Sequence, residues 1–154
     1  MIAVIQRVKR ASVEIDGRIS GQCGRGLMIL LGVAEGDSEL DAQLLAAKIA
    51  KLRIFCDEDG KMNLSVKDVE GEMVVVSNFT LLANYVKGNR PDYFGAAAPD
   101  EAEGLYNYFG ELVEKEVSHV GSGEFGADME VTIVNDGPVT IVMDSKMLRQ
   151  KKNS

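Results

Sequence analysis

The chain has 154 residues, 45% of them hydrophobic, and a formal net charge of −7. That is the size of one ordinary domain with enough apolar content for a single core, and the acidic balance excludes a protein that coats nucleic acid through its overall field, so any nucleic-acid contact is expected to be local. No stretch approaches the roughly 18 consecutive apolar residues of a membrane span, and MIAVIQRVKR alternates like a strand instead of showing a basic segment before an apolar signal core. A soluble, cytoplasmic protein with no membrane partner is therefore expected. Cys23 and Cys56 are too few for a disulfide framework, and with His119 the sole histidine they make no credible zinc site. Both cysteines read as small buried apolar residues, and neither a metal nor a cofactor is expected.

In chain order, residues 2–8 (IAVIQRV) and 12–16 (SVEID) alternate apolar and polar, Gly17 marks a turn, and a short strand near Ile19 leads to 26–33 (GLMILLGV). This last run is apolar throughout, as in a strand buried on both faces, and completes an N-terminal meander. GRG at 24–26 is no phosphate loop, because a strand and not a helix follows it. From Asp37 the spacing turns helical. Leu40, Leu44, Leu45, Ile49 and Leu52 share one face, Asp37 or Ser38 caps the start, and Lys48, Lys51 and Arg53 suit the C-terminal end of the dipole. DEDGK (57–61) looks like an acidic calcium loop but lacks the glutamate that closes a twelve-residue loop, so it reads as a turn.

EMVVVSNFTLL (72–82) is a second fully buried strand, ending in polar residues that such a strand does not need. Ser77, Asn78 and Thr80 crowd that exit, where short polar side chains ordinarily bond to nearby backbone. A second helix runs from Pro99 or Asp100 to Ser118 with Leu105, Tyr108, Phe109, Leu112, Val113 and Val117 on one side. His119 reads as its C-terminal cap, and the absence of a G-x-S-x-G elbow argues against a serine triad. Strands at 128–134 and 139–144 flank NDGPVT (135–140). Asp-Gly alone suffices for a hairpin turn, so Pro138 is either a strand-initiating proline, the ordinary reading, or part of a Gly137-Pro138 unit that presents its carbonyls and bare Cα to something. The terminal KMLRQKKNS, with Lys146, Arg149, Lys151 and Lys152, either touches a phosphate or is a frayed, solvated tail, the second being the ordinary reading. The expected fold is α+β: a single domain, mainly antiparallel and barrel-like, with two amphipathic helices packed on the sheet.

SNFTLLANYVKGNRPDY, GADMEV and VNDGPVT, with the opening AVIQRVKRASVEIDG and the central KLRIFCDEDGKMNLSV, closely resemble the D-aminoacyl-tRNA deacylase family, also called D-tyrosyl-tRNA deacylases. The likeness covers essentially the whole chain in order. Its two signature stretches are S-Q-F-T-L, here Ser77-Asn78-Phe79-Thr80-Leu81, and N-x-G-P-V-T, here Asn135 to Thr140. The resemblance implies a homodimeric hydrolase that cleaves the ester between a D-amino acid and the 3′ end of tRNA, with its site at or near the subunit interface. It also implies a cis Gly137-Pro138 bond whose carbonyls enter the partner's site and face the substrate's chiral centre. Such a backbone wall excludes an L side chain by sterics, and glycine, which has no side chain to exclude, should pass.

In the family the oxyanion is associated with main-chain N–H groups of the S-Q-F-T stretch, which places that role here at Phe79 and Thr80. Thr80 ranks as a positioning residue before a nucleophile, since the sequence offers it no base. Ser77, Asn78, Gly137, Pro138 and Arg7 are carried over as substrate-binding positions, Arg7 because in relatives it lies near the Gly-Pro motif. Asn78 departs from the usual glutamine, being one methylene shorter, and Tyr93 stands where relatives often have phenylalanine. Two other readings share the same residues: a non-catalytic binder of aminoacyl-tRNA and a hydrolase of small D-amino-acid esters.

Overall fold

A computed structural model describes residues 1–152, with side chains as far as Gln150. The long strand β1 (Ile2–Ile15) organises the sheet. One of its edges pairs antiparallel first with β3 (Gly26–Gly32), from Ile2 opposite Gly32 to Val8 opposite Gly26, and then with β2 (Arg18–Cys23), from Ala11 opposite Cys23 to Ile15 opposite Arg18. Its other edge pairs along its length with β8 (Glu130–Asp144). The sheet continues from β3 through two parallel neighbours, β6 (Glu72–Ser77) and β7 (Val120–Ser122). Parallel neighbours need long crossovers. α1 (Glu39–Lys51) lies in the first and α2 (Pro99–Glu114) in the second, while the short hairpin of β4 (Phe55–Cys56) and β5 (Met62–Leu64) also falls between β3 and β6.

The far ends of this sheet curl toward each other. Ser20 Oγ donates to the Ser122 carbonyl at 3.0 Å, and a side chain at Gly21 would place its Cβ 2.5 Å from the Ser122 nitrogen. Glycines at Gly21 and Gly121 are thus what lets β2 and β7 approach backbone to backbone and bring the sheet close to a barrel. His119 belongs to this seam. Its Nε2 lies 2.7 Å from the Gln22 carbonyl oxygen, and α2 has already ended at Glu114, so the expected helix cap is corrected to a sheet contact.

Period-two alternation sorts the core. Leu27, Ile29, Leu31, Met73 and Val75 face α1 and α2 together with Leu45, Ile49, Phe109 and Val113, whereas Met28, Val74 and Val76 turn the other way to meet Val8 and Val13. Both faces of β3 and β6 are covered, as their unbroken apolar sequences require. Tyr106 reaches through the first layer to donate to the Val75 carbonyl at 2.8 Å, and burial pushes its hydroxyl pKa up to about 12. The turn expected at 57–61 joins β4 to β5, with Asp57 Oδ1 accepting from the Asp59 and Lys61 amides at 2.9 and 3.0 Å.

The structure differs from the sequence reading in five more places. The N-terminal part is no meander, since 2–8 and 12–16 belong to the single strand β1 and β3 pairs with β1 instead of β2. Residues 72–82 are not one strand, since β6 stops at Ser77 and Phe79–Leu82 form a 3₁₀ turn. The runs 128–134 and 139–144 are not two strands but one, β8, both halves lying on β1. Cys56 is exposed, and only Cys23 is buried, its thiol pushed up to about 11 chiefly by that burial. A third helix, α3 (Ser145–Lys152), replaces the expected frayed tail. Its first residue accepts a hydrogen bond from the Met1 α-ammonium at 2.9 Å and donates to Asp41 at 2.7 Å, and Arg149 pairs with the same carboxylate, so the segment is tied to α1. The side chains of Lys151 and Lys152 lie outside the described residues.

Candidate active site

At the end of β6 the chain makes one more sheet bond, from the Asn78 amide to the Leu31 carbonyl at 2.8 Å, and then turns sharply. Asn78 is the reason. In an extended conformation it caps the 3₁₀ turn, its Oδ1 accepting from the Thr80 amide at 3.1 Å and from the Thr80 hydroxyl. The turn thus sits at the C-terminal end of a buried strand, and the four residues Ser77, Asn78, Phe79 and Thr80 all line a cleft of about 1170 Å³.

The opposite walls come from elsewhere in the chain. Tyr93 and Phe94 bring one, the segment from Phe125 to Met129 another, and Leu30 and Val76 also belong to the lining. The Phe79 ring meets that of Tyr93 edge to face, with centroids 4.9 Å apart. Glu35, Glu101 and Asp128 supply the charges of the lining, and no histidine, cysteine or lysine is part of it. The cleft therefore offers main-chain amides, apolar walls and three carboxylates, without a nucleophile paired to a base. No group of three His, Cys, Asp or Glu side chains is placed to hold a metal among the described residues.

The second signature stretch forms a bulge in β8. Gln6 faces Thr140 and Val8 faces Asn135, so Arg7 alone stands opposite Asp136–Val139. The Asn135 amide nitrogen closes the base of the excursion, donating to the Arg7 carbonyl at 2.9 Å and to the Val139 carbonyl at 3.1 Å. The Arg7 guanidinium holds its flank. Nε donates to the Asp136 carbonyl at 2.9 Å and lies 3.2 Å from its carboxylate, while Nη1 donates to the Ile54 carbonyl at 2.7 Å. Thr140 Oγ1 donates to the Pro138 carbonyl at 3.1 Å. At the tip Gly137 and Pro138 are exposed, and the bond between them is cis. The Asp-Gly pair is not a hairpin turn, because the chain resumes pairing with the strand it left.

The expected site residues thus fall into two groups. Ser77, Asn78, Phe79 and Thr80 meet at the cleft, and Arg7, Gly137 and Pro138 meet at the bulge. None of the second group lines the cleft of its own chain. The Thr80 amide, expected as an oxyanion donor, is engaged by Asn78. Residue reasoning gave no role to Tyr93, Phe94, Phe125 and Met129. Aromatic residues inside a loop that carries Gly88, Pro91 and Gly95 were a weak signal that the segment matters, but nothing in it showed that Tyr93 and Phe94 reach the cleft.

A family model described as D-Tyr-tRNA(Tyr) deacylase matches residues 4–144. The chain is 57% identical over 146 residues to a D-aminoacyl-tRNA deacylase of Dehalococcoides mccartyi, covering 95% of each chain, and 53% identical to one of Bacillus thuringiensis, covering 95% of this chain and all of the other. Among solved structures, that of a c-Myc DNA Unwinding Element Binding Protein superposes with a TM-score of 0.88 at 44% identity, covering 94% of this chain and 98% of that one. A structure described as a "probable eukaryotic D-amino acid tRNA deacylase" reaches 0.78 at 17% identity, covering 92% and 97%, a likeness of fold.

Proposed function

The chain belongs to the D-Tyr-tRNA(Tyr) deacylase family and acts as a hydrolase on aminoacyl-tRNA, and from that premise we propose that it removes D-amino acids and glycine from the 3′ end of tRNA while a Gly137-Pro138 backbone wall turns L-amino acids away. One domain over residues 1–154 does this in the cytoplasm as a homodimer, each cleft being completed by the Gly-Pro bulge of the partner subunit.

The observation that carries the reading is the separation of the two groups. Gly137 and Pro138 project from β8 and stand exposed although Arg7, Asn135 and Thr140 brace the excursion. Neither residue lines the cleft of its own chain. Supplied by a partner, the rigid carbonyls lie where an L side chain would project, and a D side chain points away.

Chemistry follows from what the cleft offers. An aminoacyl ester is already activated, so orienting it and stabilising the oxyanion is the main requirement. Water attacks the ester carbonyl, the Phe79 N–H stabilises the developing oxyanion, the C–O bond to the ribose breaks, and the departing 3′-oxygen takes a proton, with the neighbouring 2′-hydroxyl as the nearest relay. Thr80 positions the ester, and the absence of histidine from the lining fits a reaction that needs no protein base.

The test is to incubate the protein with D-tyrosyl-tRNA, L-tyrosyl-tRNA, glycyl-tRNA and a D-tyrosine alkyl ester and follow release of free amino acid. Hydrolysis of the D and glycyl substrates with the L substrate spared is expected. Equal rates on both enantiomers reject the filter, binding without turnover makes the protein a carrier of aminoacyl-tRNA, and turnover of the alkyl ester alone makes it a small-ester hydrolase.

A further inference from the structure

We propose that the lobe formed by residues 84–92, beside the cleft, is the track along which the unpaired 3′ nucleotides of tRNA approach; this rests on the deacylase reading. Asn84 and Asp92 form its neck by exchanging backbone hydrogen bonds of 2.8 and 2.9 Å. Their side chains are used locally, Asn84 Oδ1 accepting from the Val86 amide at 3.1 Å and Asp92 Oδ1 from the Phe94 amide at 3.3 Å. Everything between the necks, YVKGNRP, is exposed.

Three observations fix the occupant. The lobe tip carries Lys87 and Arg90 and no acid, in a chain with 24 acidic and 17 basic residues, and neither cation is in an ion pair among the described residues. Tyr85 and Phe94 stand 77% and 86% exposed, and an aromatic ring left in water is a stacking platform for bases. The charges lining the cleft itself are all carboxylates, Glu35, Glu101 and Asp128, so a phosphate chain is repelled from those walls and attracted to the lobe. Continuity is direct, because Tyr93, one residue beyond the neck, meets Phe79 edge to face. The lobe thus reconciles an acidic protein with a polyanionic substrate by confining the attraction to one projection.

The experiment compares D-tyrosyl-tRNA with D-tyrosyl-adenosine, which ends where the lobe contacts would begin. For the double variant Lys87→Glu, Arg90→Glu the expected result is a loss of about tenfold or more in kcat/KM on the tRNA at low salt, with the salt dependence of log kcat/KM shallower by about 1 to 2 for two lost phosphate contacts. The adenosine ester is expected to turn over at the wild-type rate, which also reports that the variant is folded. Tyr85→Ala should raise KM for the tRNA and leave kcat unchanged. An unchanged rate on the tRNA, an equal loss on both substrates, or a loss accompanied by a change of oligomeric state in light scattering overturns the proposal. Wild-type protein idle on D-tyrosyl-tRNA overturns the deacylase reading with it, whereas active wild type with an unaffected variant overturns the lobe alone.

Discussion

The side chain of Asn78 turns back on its own segment, and this has a price in chemistry. Its Oδ1 occupies the Thr80 amide, one of the two main-chain donors that the family resemblance leads one to expect and the one that the mechanism leaves out. Glutamine, one methylene longer, is a poorer cap and would release that amide. Asn78→Gln is therefore expected to raise the single-turnover rate on D-tyrosyl-tRNA several-fold while lowering stability by about 0.5–1 kcal/mol in chemical denaturation. An unchanged rate with the stability loss would show that only Phe79 donates. The opposite kind of constraint holds at Gly137. A Cβ there would lie 2.6 Å from Asn135 Cγ and 2.9 Å from the Val139 nitrogen, so alanine must push Asn135 off the Arg7 and Val139 carbonyls or shift the bulge. Because the position is exposed, Gly137→Ala should change stability by only about 1 kcal/mol. Hydrolysis of D-tyrosyl-tRNA should fall by more than about tenfold, since a displacement near 1 Å at a positioning element is enough. Wild-type rates in this variant would remove the bulge from the mechanism.

Elements differ in how much of themselves they write into sequence. α1 is legible because Leu45 and Ile49 fall on one face behind a Ser38 cap, and β3 and β6 are legible because no surface strand is apolar throughout. The β8 bulge is not, because Asn-Asp-Gly is locally a hairpin signal and only the register with β1 shows that the strand resumes. β7 escapes for a similar reason: three residues containing Gly and Ser carry no pattern, and their strand character comes from β6 beside them. Of the site, the polar exit of β6 was visible as an anomaly, whereas Tyr93 and Phe125 reach the cleft through tertiary approach that no local pattern encodes. α3 was missed because its stability is tertiary too. Asp41, buried under it, takes hydrogen bonds from Ser145 and the Ser38 amide and pairs with Arg149. Burial alone would raise the pKa of that carboxyl, but the bonds from Ser145 and Ser38 and the Arg149 charge outweigh it and hold it below the usual carboxylate value. A depressed folded pKa means that the ionised group stabilises the fold above the unfolded pKa of about 3.9 and loses that contribution as pH falls through the lower folded value. Stability measured by denaturant from pH 7 to pH 2 should therefore show an acid limb that Asp41→Asn flattens, with the variant weaker by about 3 kcal/mol at pH 7. Equal acid limbs would mean that the Asp41 carboxylate does not hold α3.

At the scale of the whole molecule the outer edge of β8 is the open question. β8 is 15 residues long, pairs on one side with β1, and carries Val142 at 69% exposure; no strand covers its other side among the described residues. A long bare edge with exposed apolar side chains is a hazard that proteins ordinarily cover. The Gly-Pro bulge stands in this same strand, so a partner that covers the edge also receives the bulge. In a two-fold dimer that arrangement gives two equivalent composite clefts, each drawing its amides from one subunit and its chirality filter from the other. Subunit complementation distinguishes this from a site contained in one chain. Gly137→Ala damages the filter and leaves the turn that carries the Phe79 N–H; Thr80→Pro removes the amide that Asn78 caps, disrupting that turn, and leaves the filter. With differently tagged chains, heterodimers of the two variants can be purified through both tags. If the sites are composite, one cleft of each heterodimer combines the intact amides of the first chain with the intact Gly-Pro of the second, and the other cleft carries both defects. Activity on D-tyrosyl-tRNA should then return to about half of the wild-type value, although each homodimer alone is impaired. If each chain holds its whole site, every cleft in the heterodimer keeps a defect and activity stays at the level of the parents. Recovery near one half, with L-tyrosyl-tRNA still spared, would place the filter in the partner, and no recovery would return it to its own chain.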